Sequence, residues 1–160
     1  MRKISLIASF LSILIIGTTQ VKAEPTANIT VTVTIPSTVS VSVSPTSWEI
    51  GNVALGETKA TPEDYFTATN DGNVAEDFTI VCGNSENWTC GSVAGNEVFE
   101  MKAKGGDLGS WTDISTSKTL KENVPKGGTV NFGLQFKAPT STSYVDTQQT
   151  ITITITASKH

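Results

Sequence analysis

"NITVTVTIPSTVSVSVS", Asn28 to Ser44, alternates apolar and hydroxyl residues with a period of two. Successive side chains along a strand point to opposite faces, so this spacing predicts two strands, Asn28–Ile35 and Thr38–Ser44, joined across Pro36. Ile29, Val31, Val33 and Ile35 share one face of the first, with Thr30, Thr32 and Thr34 on the other. Val39, Val41 and Val43 stand against serines in the second.

The same period runs outward along the chain. "DYFTATN" (64–70) and "DFTIVC" (77–82) flank Asn70-Asp71-Gly72-Asn73, a strong turn signal. Phe78, Ile80 and Cys82 fall on one face, as do Phe99, Met101 and Ala103 in "EVFEMKA", which "KGGDLG" (104–109) interrupts. "SKTLKENV" (117–124) is a short strand candidate. Val130, Phe132, Leu134 and Phe136 alternate in "TVNFGLQF", and Ile151, Ile153 and Ile155 in the closing "QTITITITAS". Beyond the first residues no stretch keeps a helical period, and β-branched residues abound. Eight or nine short strands so spaced predict an all-β antiparallel sandwich.

The first 23 residues stand apart from this pattern. Arg2 and Lys3 precede an apolar run, Ile4 to Ile16, and Val21-Lys22-Ala23 supplies a small-residue end. This reads as a secretory signal peptide cut after Ala23. The alternative, a membrane anchor, needs about 20 apolar residues. Residues 24–36 are then an N-terminal extension strand and 37–160 the sandwich. Cleavage removes Arg2, Lys3 and Lys22, which leaves 8 bases against 15 acids and takes the formal charge from -4 to -7. Such a surface disfavours nucleic acid and anionic lipid, which need clustered Lys and Arg.

Two cysteines, Cys82 and Cys90, bracket "CGNSENWTC". In an oxidising compartment a pair forms a disulfide, here one that pins a local turn. A metal site is disfavoured, since the one histidine is His160 and two sulfurs do not complete a ligand set. The spacing is not the Cys-x-x-Cys of a redox pair. No metal or other cofactor is expected.

Catalytic groups are scarce. A Ser-His-Asp arrangement would require the chain end at His160 to fold back. Glu63-Asp64 and Glu76-Asp77 read as solvated strand starts. "NDGNVAED" (70–77) offers oxygen ligands for calcium, without the spacing of an EF-hand loop. Trp48 reads as core. Trp88, in the cysteine loop, and Trp111, after a glycine turn, would suit sugar stacking if exposed, or would cap the sandwich ends. "NIT" (28–30) and "NWT" (87–89) fit the N-glycosylation pattern.

"SWEIGNVALGETKATPEDYFTATNDGNVAEDFTI" (47–80) resembles immunoglobulin-like domains of the ASH type in bacterial and archaeal surface proteins, through Trp48, Gly51, Val53, Gly56, Phe66, Asn70, Gly72, Asn73 and Phe78. The resemblance implies an immunoglobulin-like sandwich that serves as a non-enzymatic scaffold or adhesion module. The Cys82/Cys90 pair and the strand before Thr38 depart from it.

That first strand is surplus to the sandwich. Burying Ile29, Val31, Val33 and Ile35 would contribute about 6–12 kcal/mol. Ordering eight backbones costs about 8–16 kcal/mol. The terms nearly cancel, so the strand orders only where a groove and ladder partners exist, and free it is a pairing hazard. It either pairs within its own chain or enters a neighbouring subunit, a layout that resembles donor-strand filament subunits. The function expected is that of a secreted, non-enzymatic structural protein of the cell surface or extracellular matrix. Its partners would be further copies of itself or other surface proteins. The alternative is a polysaccharide-binding or adhesion module using Trp88 and Trp111.

Overall fold

Inward-facing rows define the architecture. The computed structural model describes residues 28–160, so the signal-peptide expectation for 1–23 lies outside the described residues. Every regular element among the described residues is a strand. They are β1 (Val41–Ser44), β2 (Thr58–Ala60), β3 (Phe66–Asn70), β4 (Glu76–Cys82), β5 (Thr89–Gly91), β6 (Val98–Gly105), β7 (Leu108–Asp113), β8 (Lys118–Val124), β9 (Thr129–Lys137) and β10 (Ile153–Lys159). The larger sheet runs β1-β3-β9-β6-β5, with β2 also on β9 and β7 also on β6. The smaller sheet is β10-β4-β8. All pairs are antiparallel except β5 with β6.

The two sheets form a β-sandwich. Phe66 and Ala68 on β3, Phe99, Met101 and Ala103 on β6, and Phe132, Leu134 and Phe136 on β9 are buried from the larger sheet. Phe78, Ile80 and Cys82 on β4 and Leu120 and Val124 on β8 answer from the smaller one. Phe66 stacks on Phe132 at 5.3 Å between ring centroids, and Phe99 lies 5.8 Å from Phe136. Such aromatic pairs add to what area burial contributes.

The strand expected over Asn28–Ile35 is not formed and the solvated start expected at Glu76 is not solvated, while the two turns read from the sequence take definite places. Asn70–Asn73 does turn the chain, but not within one sheet: β3 belongs to the larger sheet and β4 to the smaller. The Asn70 side chain makes that corner. Its amide donates to the carbonyls of Val74 and Val124 (2.8 Å each), and its Oδ1 accepts from Gly72 N–H at 2.9 Å. "KGGDLG", the glycine turn before Trp111, forms the β6–β7 hairpin and puts Trp111 on a strand. Glu76 is not a solvated strand start. It is fully buried, and its Oε1 accepts from Ser40 N–H at 2.9 Å.

The chain divides into units Met1–Thr34 and Ile35–His160. The described part of the first, Asn28–Thr34, carries no strand and is exposed throughout. Ile29, Val31, Val33 and, at the start of the second unit, Ile35 are 82–91% exposed. Alternation without a ladder partner leaves the ordering cost of the backbone unopposed.

Candidate functional site

A three-stranded sheet cannot cover a much wider one. The uncovered part of the larger sheet is an open cleft of about 1100 Å³ within the Ile35–His160 unit. Its floor is the inner face of the larger sheet, including Phe66, Met101, Phe132, Leu134 and Phe136. On one side stand Val41 and Val43 of β1 with Trp48, Ile50 and Val53 of the following loop. On the other stand Ile151, Ile153 and Ile155, the inward row of β10 and the residues leading into it. These side residues pack on the core yet are only partly buried. A row that faces inward but stays half-wet lacks a neighbour.

The sheet edges along the cleft also carry free backbone groups. Both β1 and β10 end their sheets among the described residues. An edge strand offers unpaired N–H and C=O groups to any strand laid beside it.

One end of the cleft is fixed by polar contacts. Trp88 Nε1 donates to Thr142 Oγ1 at 3.0 Å, and Thr142 Oγ1 in turn donates to Glu97 Oε2 at 2.6 Å. Ser143 N–H donates to Glu97 Oε1 at 2.6 Å. These bonds, the Thr142 hydroxyl first and the Ser143 amide second, hold the Glu97 carboxyl below its ordinary pKa of 4.5. Gln149 Oε1 accepts from Ser85 Oγ at 2.8 Å and Asn87 N–H at 3.2 Å. The loop from Thr142 to Gln149, which leads to β10, is thereby tied to the Cys82–Cys90 loop. That disulfide is formed, with its Cα atoms 6.3 Å apart.

The tryptophans separate. Trp48 and Trp88 are half-buried and line the cleft, whereas Trp111 is half-buried on β7 and does not. Trp88 and Trp111 are therefore not brought together in this cleft.

Within Asn70–Asp77, Asn70 Oδ1, Asn73 Oδ1, Glu76 Oε1 and Asp77 Oδ1 each accept a backbone N–H; Asn73 Oδ1 does so from Thr38 at 2.7 Å, and its amide donates to Pro36 O at 2.9 Å. Among the described residues no three His, Cys, Asp or Glu side chains gather as metal ligands. His160 does come back to the sheet, with Nδ1 2.6 Å from Asp77 Oδ1. Asp77 Oδ1 also accepts from Asn123 N–H at 2.8 Å, and among the described residues no hydroxyl bonds to the pair. Among the described residues no helix is long and apolar enough to cross a membrane.

The alternating rows Ile29–Ile35 and Ile151–Ile155 are legible in the sequence as strand faces; the exposure of the first and the cleft are not. The cleft's only signal was the surplus of one strand. Compared with family models, curated proteins and solved structures, the chain matches none.

Proposed function

We propose that this is a secreted, non-enzymatic structural protein of the cell surface or extracellular matrix, with an immunoglobulin-like sandwich, that self-assembles by strand donation. Asn28–Ile35 of one copy fills the cleft of the next. The observation that carries this reading is the match between the cleft's apolar floor and flanking rows and an uncharged, exposed segment with four apolar residues at strand spacing. An eight-residue strand is about 26 Å long, close to the about 23 Å of the seven-residue β10. The cleft also lies at or above the upper end of small-molecule sites, about 300–1,000 Å³. Donation between identical subunits is head-to-tail and builds an open filament.

The polysaccharide reading has less support, because Trp88 and Trp111 are both half-buried and only Trp88 lines the cleft. The resemblance to surface-protein domains and the Cys82–Cys90 disulfide both favour an extracellular setting.

The test compares the protein from Glu24 with a truncation from Ser37, by light scattering and negative-stain microscopy. Filaments or ladders in the first and monomers in the second are expected. Monomers in both, at high concentration, would overturn the proposal.

A further inference from the structure

Two edges flank the cleft, and strand donation alone does not say which one receives the incoming strand. We infer that the acceptor is β10: Asn28–Ile35 of a second copy adds to the three-stranded sheet along the backbone of Ile151, Ile153, Ile155 and Ala157. This inference rests on the strand-donation reading.

The ladders identify the free amides. In an antiparallel pair, residues alternate between exchanging hydrogen bonds with the partner and pointing them away. Gly83 N–H donates to Thr152 O at 2.8 Å, and His160 N–H to Ala75 O at 3.0 Å. With the register Ile153↔Cys82 to Lys159↔Glu76, the residues bonded to β4 are Thr152, Thr154, Thr156 and Ser158. Ile151, Ile153, Ile155 and Ala157 then turn their N–H and C=O outward. On β1, Asp71 N–H donates to Ser40 O at 2.8 Å. With Val41↔Asn70 as register, and Asn73 N–H donating to Thr38 O at 3.0 Å, Val39, Val41 and Val43 face outward there, three positions in all.

The two edges differ in what they offer. The next outward position beyond Val43 is Pro45, which has no N–H. The β10 row runs through four positions without a proline, matching the four apolar positions of the donor. Side chains agree as well. The inward row of β10 is half-buried, while Thr152, Thr154 and Thr156 are exposed outside. A donor with Ile29, Val31, Val33 and Ile35 inward would set Thr30, Thr32 and Thr34 beside them. Threonine pairs across strands are favourable.

Proline substitution tests this, because proline is tolerated where an edge strand's N–H faces outward. Ile155→Pro and Val43→Pro each remove one outward amide, in the protein starting at Glu24, with the Ser37 truncation as reference. Light scattering at fixed concentration should show assembly by Ile155→Pro reduced about tenfold or more, the worth of one good hydrogen bond, and by Val43→Pro about twofold at most. Hydrogen exchange on the unsubstituted protein gives a second readout that does not depend on a variant folding. The Ile153, Ile155 and Ala157 amides should exchange about tenfold or more slowly in filaments than in the truncated monomer.

Loss of assembly with Val43→Pro but not Ile155→Pro, or protection at Val41 and Val43 instead, would overturn the assignment and leave strand donation standing. So would unchanged exchange at all three β10 amides in filaments that the truncation abolishes. Identical assembly with and without residues 24–36 would overturn strand donation itself.

Discussion

Asn28–Ile35 and Ile151–Ser158 are nearly the same peptide. One reads "NITVTVTI", the other "ITITITAS". Yet the first is exposed and carries no ladder, while the second is paired residue by residue from Ile153 with β4 and half-buried. Propensity cannot separate them, since both are β-branched and alternate. What separates them is a partner. Strand character here is a property of the pair, and the copy without a ladder is not a strand.

The largest effect should come from breaking that symmetry with charge. Val31→Asp with Val33→Asp is expected to abolish assembly seen by light scattering, while the monomer's unfolding free energy changes by about 0.5 kcal/mol or less, as at other exposed sites. A comparable loss of monomer stability would show the segment already engaged in its own fold. Next comes the anchor of β10. Ile153 lies opposite Cys82, so losing the disulfide frees the start of the ladder. Cys82→Ala with Cys90→Ala should cost about 2.5 kcal/mol by the chain-entropy argument for so short a loop, measured by urea unfolding. A change near zero would mean that the Ser85, Trp88 and Gln149 contacts hold the loop unaided. Smaller again is Ile155→Ala. Full burial would make it about 2–5 kcal/mol, but half-exposure reduces it to about 1–2 kcal/mol in the monomer. If donation completes that burial as proposed, filaments should lose more than the monomer does.

Much of this was legible from period alone. The buried rows of β3, β4, β6, β8 and β9 are the alternating residues of the sequence, because a two-sided core demands them. The β7 strand was not legible: "LGSWTD" has no alternation and is recruited by the Gly105–Asp107 turn onto β6. Nor was the corner at Asn70–Asn73, since the same turn residues serve a hairpin or a sheet change. Glycines hide their reasons similarly. A Cβ on Gly72 would sit 2.4 Å from the Thr38 carbonyl oxygen, a packing demand that appears only when Thr38 is folded alongside. The cleft was invisible for a related reason. It is made by the unequal width of two sheets, and Val43, Trp48 and Leu134 are distant in sequence. The alternating segment Asn28–Ile35 was visible because its pattern is local.

The smallest effect concerns acid, and it distinguishes the tethered strand from the free one. Glu97 holds Thr142 and Ser143, at the head of the loop that delivers β10, whereas Asn28–Ile35 contains no titratable side chain. The Glu97 pKa is lowered in the fold by those two bonds. A carboxyl with a depressed folded pKa contributes its stabilisation above its unfolded value, and that contribution fades as pH falls through the folded one. The loop should therefore be fully tethered above about pH 4.5 and loosen progressively below it. Protonation weakens the carboxylate's acceptance from the Ser143 N–H and the Thr142 hydroxyl, which also holds the Trp88 indole. The protection of the Ser143 and Tyr144 amides, taken relative to their intrinsic exchange rate at each pH, should thus fall on acidification, and Trp88 emission should shift with it. Asp77 and Asp107 also have lowered pKa values, through the Asn123 amide and the Lys121 ammonium respectively, so global acid stability falls over a similar range. Glu97→Gln separates the local event from the global one. It should loosen Ser143 and Tyr144 already at neutral pH and remove their further acid response, while the acid response of the rest of the sandwich stays. If the variant's loop amides keep the wild-type profile, Glu97 is not the tether, and β10 is positioned by the Gln149 contacts and the disulfide alone.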